Sequence, residues 1–112
     1  MPKLKKSLSK VDITTTYHAI GEKRVLLSND ETSAAITQIA VTRLKAGEQI
    51  ERHAHPTMEE YFLIREGAVI ITVNNEIVEC QKDDFVVIPP CAQHTLTAVT
   101  DIELLTIGCA TE

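Results

Sequence analysis

The chain has no tryptophan, two tyrosines and two phenylalanines, so it lacks the stacking platforms with which proteins hold single-stranded nucleic acid. It also lacks excess positive charge. Eleven Lys and Arg stand against 16 Asp and Glu, a net charge of −5, the wrong sign for tracking phosphates. No stretch approaches the roughly 20 apolar residues of a membrane span. The opening MPKLKKSLSK is basic, but no apolar run follows it, so it does not read as a secretory signal. Nucleic acid and membrane are therefore not expected as partners. Cys80, Cys91 and Cys109 are an odd set at unrelated spacings, which argues against a disulfide framework and for a reducing, cytoplasmic setting. A helical period is missing too. Apolar residues do not recur at three- and four-residue intervals over any long window.

What is present is enough for a core. The 112 residues are 44% hydrophobic and 24% charged, ordinary for one globular domain. Residues 1–24 read as an N-terminal arm and edge strand, and residues 25–112 as a single β-rich domain. Residues 33–44, SAAITQIAVTRL, are rich in β-branched and small side chains and predict a strand. Gln49 to His55 predicts another, stopped by Pro56, which has no amide hydrogen to give a ladder. Tyr61 to Ile64, Ala68 to Val73, Glu76 to Cys80, Phe85 to Ile88, Thr95 to Val99 and Ile102 to Ile107 continue the series. Asn74-Asn75 marks a hairpin turn. With one or two short strands before Asp30, about nine extended runs separated by turn residues predict an all-β sandwich or barrel.

The most informative stretch runs from Gly47 to Gly67, GEQIERHAHPTMEEYFLIREG. In a strand, His53 and His55 would share one face. Two imidazoles and a carboxylate returning on the next strand are chemically suited to one metal ion. Counting straight from His55 favours Glu59, but Pro56 breaks the alternation, and Glu60 shares a face with Phe62 and Ile64. A third imidazole, His94, follows a strand-like run and Pro89-Pro90.

This pattern resembles the first motif of the cupin superfamily: Gly47, five residues, His53-Ala54-His55, four residues, Glu60, six residues, Gly67. The second cupin motif, with glycine, Pro-x-Gly, His and Asn at set spacings, falls on Asp83, Pro89-Pro90-Cys91, His94 and Ala98. Proline and histidine are kept there, while both glycines and the asparagine are replaced. The resemblance spans residues 47–98 and implies a double-stranded β-helix, or jelly-roll barrel, with its site inside. It implies His53, His55, Glu60 and His94 as ligands of a divalent transition metal, with zinc, nickel, manganese, iron and copper all compatible with the donor set. It also implies a homodimer and a small-molecule ligand.

Within that frame three functions stand side by side. One is a metal-dependent isomerase or oxygenase acting on a small polar molecule. Another is a non-catalytic binding module for a small sugar-like ligand. The third is a metal-free sugar-nucleotide isomerase or epimerase in which His55 acts as acid or base. No second catalytic group can be assigned from the sequence. Cys91 is expected as a small loop residue and His18 as a surface or edge residue. Cys80 and Cys109 are expected as packed small hydrophobes. Arg43, Arg52 and Arg65 are expected at the surface, with Arg52 alternating away from His53.

Overall fold

The computed structural model describes residues 4–14 and 20–112; His18 lies outside them. The described residues form ten strands: β1 (Ile13–Thr14), β2 (Glu22–Ser28), β3 (Ile36–Leu44), β4 (Gln49–His53), β5 (Met58–Glu66), β6 (Ala68–Val73), β7 (Glu76–Gln81), β8 (Phe85–Ile88), β9 (His94–Ala98) and β10 (Ile102–Ala110). They make a six-stranded sheet, β1-β2-β3-β10-β5-β8, and a four-stranded sheet, β4-β9-β6-β7. Every strand pair is antiparallel. This is the jelly-roll barrel that the cupin resemblance implied, within the sandwich-or-barrel class that the turn-punctuated strands predict.

The core sits between the sheets and follows from alternation. On β5 the even positions Phe62 and Ile64 are buried, and on β10 Ile102 and Leu104. Their counterparts on the smaller sheet are Val69 and Ile71 of β6 and Leu96 and Ala98 of β9. Cys80 is buried among them, as a small hydrophobe. Cys109 differs, because it lies half-buried on β10 at a register shift.

Several boundaries differ from the sequence reading; β5, expected from Tyr61 to Ile64, runs from Met58 to Glu66. The strand expected from Ser33 starts at Ile36, because Asn29 donates its side-chain amide to the Ile36 carbonyl and Thr32 Oγ1 accepts from the Ala34 amide, which bends residues 32–35 into a turn. The strand expected through His55 stops at His53, and the His55 carbonyl instead accepts the Cys91 amide. β10 runs three residues beyond the expected Ile107, since it is the interior strand between β3 and β5 and both neighbours supply ladder partners. Asn74, in the hairpin turn, has φ of 56°, the left-handed backbone expected of it.

Candidate metal centre

The site is built across the two sheets. His53 closes β4 and His94 opens β9, and the two are direct partners in the antiparallel ladder, a position where cross-strand side chains touch. Their ring centroids are 4.1 Å apart. His55 lies in the loop after β4, where Pro56 has ended the ladder, and its ring is 4.9 Å from His53 and 5.9 Å from His94. Glu60 comes from β5 in the facing sheet, on the same inward side as Phe62 and Ile64. The four side chains each offer one ligand atom, all within 4.8 Å of one another.

Glu59 and Glu60 separate by alternation. Glu60 Oε1 is 3.3 Å from His55 Nε2 and 3.2 Å from His94 Nε2. Glu59 turns to the other face of the sheet and accepts the Tyr61 hydroxyl, and that bond to a carboxylate pushes the Tyr61 pKa up.

With His94 neutral, the charges at the centre are left unbalanced. His94 Nδ1 is 3.0 Å from the Ala92 carbonyl oxygen, which can only accept, so Nδ1 carries the proton. In the neutral ring Nε2 then presents a lone pair, and it faces the carboxylate oxygen of Glu60. Both Glu60 Oε1 and His94 Nε2 are buried and without a hydrogen-bond partner among the described residues. Two acceptors held together in a dry site repel unless a proton or a metal ion lies between them. Burial opposes charging His94, but the adjacent Glu60 carboxylate and the Ala92 carbonyl outweigh it and hold its pKa above the usual imidazole value. His53 is arranged alike, with Nδ1 2.9 Å from the Glu51 carbonyl oxygen. Backbone carbonyls thus orient two of the three imidazoles, as they do around metal-bound histidines. The orphaned atoms, the fixed tautomers and the three-nitrogen, one-oxygen donor set fit a divalent transition ion.

The centre opens into a cavity of about 250 Å3 lined by Ile50, Met58, Phe62, Leu96 and Leu104, with Lys23, Gln38, Thr42 and Thr106 as further polar groups beside the histidines and Glu60. Sequence reasoning missed these four. A signal existed for two of them: on β3, Gln38 and Thr42 fall in step with the inward residues Ala40 and Leu44, polar positions on an otherwise apolar face.

The remaining candidates lie elsewhere. Arg52 is exposed and donates to Gln93. Arg43 and Arg65 both pair with Glu103, at 3.3 and 3.4 Å. Cys91 is exposed with its Sγ toward the Pro56 carbonyl and is not among the clustered ligand atoms.

The family model described as a cupin domain matches residues 40–108. An uncharacterised protein of Methanocaldococcus jannaschii is 31% identical over 72 residues, covering 64% of this chain and 58% of its own length. The tetracenomycin polyketide synthase protein TcmJ of Streptomyces glaucescens is 26% identical over 84 residues, covering 75% of this chain and 56% of its own. The chain therefore spans a little over half the length of these relatives. Among solved structures, a predicted oxalate decarboxylase from Thermotoga maritima superposes with a TM-score of 0.83 at 18% identity, covering 93% of this chain and 96% of its own, a likeness of fold. With the family model covering more than half of its length and both sheets assembled in the jelly-roll order, the chain belongs to the cupin family.

Proposed function

We propose that the chain is a metal-dependent enzyme in which His53, His55, Glu60 and His94 hold a divalent transition ion and the adjoining cavity holds a small polar substrate. The observation that carries this reading is the buried pair Glu60 Oε1 and His94 Nε2, aimed at each other 3.2 Å apart and without a hydrogen-bond partner among the described residues. A bound ion would supply Lewis-acid or redox chemistry at coordination positions the four residues leave open. The protein's own part is orientation and exclusion of water. Ala92 and Glu51 carbonyls set the imidazoles, while Ile50, Phe62, Leu96 and Leu104 keep the cavity wall apolar. A reaction of isomerase or oxygenase type fits such a site.

The test is elemental analysis of protein purified without a histidine tag, beside turnover on candidate substrates before and after chelation. About one equivalent of metal and activity lost on chelation are expected. A metal-free protein whose activity survives chelation would instead favour acid–base chemistry by His55 and Glu60, which stand 3.3 Å apart. Metal and ligand bound with no product formed would leave a binding module.

A second copy of the chain is the expected partner. By alternation, the outer face of the larger sheet carries Ile39, Tyr61, Leu63, Phe85, Val87 and Leu105. Phe85 and Val87 are 60% and 47% exposed, and Tyr61 and Phe85 stack with rings 5° from parallel. An apolar face on both sides of a sheet fits one that is covered twice. Light scattering at micromolar concentration should give twice the chain mass, and Phe85→Glu should return it to the monomer mass; a wild-type monomer overturns this. The three free thiols support a reducing, cytoplasmic setting.

A further inference from the structure

Lys23 stands on β2 at the rim of the barrel and lines the same cavity as the metal centre. Among the described residues it is the only Lys or Arg lining the cavity; Gln38, Thr42 and Thr106 are neutral, and the cavity's carboxylate, Glu60, faces the histidines. No carboxylate among the described residues pairs with it. Its ammonium instead donates to Gln38 Oε1 at 3.1 Å. An ammonium cannot accept, so Gln38 must turn its oxygen toward Lys23, which leaves the Gln38 NH2 as a further donor. The Thr106 hydroxyl is committed as donor to the Ala40 carbonyl at 3.3 Å. The spare hydrogens on this wall are therefore those of the Lys23 ammonium and the Gln38 amide, while Thr106 keeps only oxygen lone pairs. A lysine serving only as a solvated surface group would gain more by extending into water than by lying against an amide on a half-apolar wall.

We propose that Lys23, with Gln38, receives a carboxylate of the substrate, and that the substrate is a small molecule with a metal-chelating end and a separate acid group. This rests on the metal-centre reading above, which supplies the other end of the ligand. Size is compatible with it: a cavity of about 250 Å3 has room for a compact diacid. One ammonium and one amide donor match the two oxygens of a carboxylate, whereas a phosphate would leave a third oxygen unmet. Lys23 acts here as a specificity-determining residue and takes no part in proton transfer.

The experiment is calorimetric titration of Ni2+-loaded protein with malate, a hydroxy acid with a second carboxylate, and with β-malamate, whose distal carboxylate is replaced by a neutral amide. Metal content is measured on the same samples. Wild type should bind malate on the order of tenfold tighter than β-malamate, the usual scale for a hydrogen bond to a charged group. Lys23→Met should remove that preference at unchanged metal content, and Lys23→Arg should restore most of it. Loaded protein that fails to bind malate, or that binds acid and amide alike, overturns the role of Lys23 and leaves the metal centre standing. Preference for malate persisting in Lys23→Met overturns it as well. Tighter binding of 3-phosphoglycerate than of malate overturns the carboxylate assignment. Failure of the wild type to take up Ni2+ sinks the centre itself, and the two-ended ligand with it.

Discussion

Purified from metal-supplemented cells, Glu60→Gln should carry less than a tenth of the metal of the wild type, whereas Glu59→Gln should carry the full amount. The two residues are neighbours with the same chemistry, so the difference isolates geometry. Glu60 Oε1 lies within 3.3 Å of two imidazole nitrogens; Glu59 is on the other face, held by Tyr61. Perturbing groups behind a ligand typically costs 10–100-fold in metal affinity, and loss of a ligand oxygen with its charge should cost more. His94→Ala should match Glu60→Gln in metal content but not in stability. Glutamine can turn its amide donor toward the His94 lone pair, relieving the clash of acceptors without metal. Alanine at position 94 leaves a hole at a site only 1% exposed, a loss of about 2–4 kcal/mol by analogy with other large-to-small core changes. Inductively coupled plasma analysis and thermal melts on the chelated proteins read both quantities. Full metal in Glu60→Gln, or loss of metal in Glu59→Gln, would reject this centre.

Much of this was legible before the structure, and the reasons are physical. Strand alternation in a sheet with one buried face leaves a period of two, so Phe62 and Ile64 could be placed inward and Glu60 with them. His53 and His55 were expected side by side on a strand. They do converge, but β4 ends at His53, and His55 reaches the centre from a loop whose carbonyl is tied to Cys91. Strand periodicity cannot describe a residue held by a partner 36 positions away. The second motif is degraded in letters, yet two of its replaced positions hold a backbone that favours glycine. Asp83 and Cys91, which replace its glycines, have φ of 75° and 68°, the left-handed region that ordinary residues occupy at a cost of about 1–2 kcal/mol. The shape survives because neighbouring hydrogen bonds impose it: the Asp83 amide donates to the Ile64 carbonyl and the Cys91 amide to that of His55. Lys23 could not be found from sequence. The half-buried run of β2 has no alternation to say which side faces in, and its register against β3 shifts between Val25 and Leu27.

The two glycines that bracket the first motif should respond very differently to alanine. Both have positive φ, 87° at Gly47 and 83° at Gly67, so both substitutions carry the strain of a left-handed backbone, on the order of 1–3 kcal/mol, partly offset by the stiffer unfolded chain. At Gly47 that is the whole cost, because an added Cβ meets nothing within 4 Å. At Gly67 the Cβ would fall 2.2 Å from the Asp101 carbonyl oxygen, 2.7 Å from Thr100 Oγ1 and 2.9 Å from Ile102 Cγ2. The first of these is backbone, and it cannot swing aside as a long side chain would. Thr100 Oγ1 also accepts the Ala68 amide, and the Val99 and Thr100 amides both donate to the Ala68 carbonyl. Moving the loop away from Gly67 therefore breaks the contacts that start β6 and end β9, and β9 carries His94. Gly47→Ala should lower the melting temperature by about 4–8 °C, the usual response to roughly 1 kcal/mol or a little more in a domain near this size. Gly67→Ala should cost several kcal/mol, a large share of the stability of a single domain, and lower the metal content of whatever protein remains folded. Equal melting temperatures for the two variants would show that the close approach at Gly67 is relieved at no cost, and that backbone strain alone explains why glycine stands at both ends of the motif.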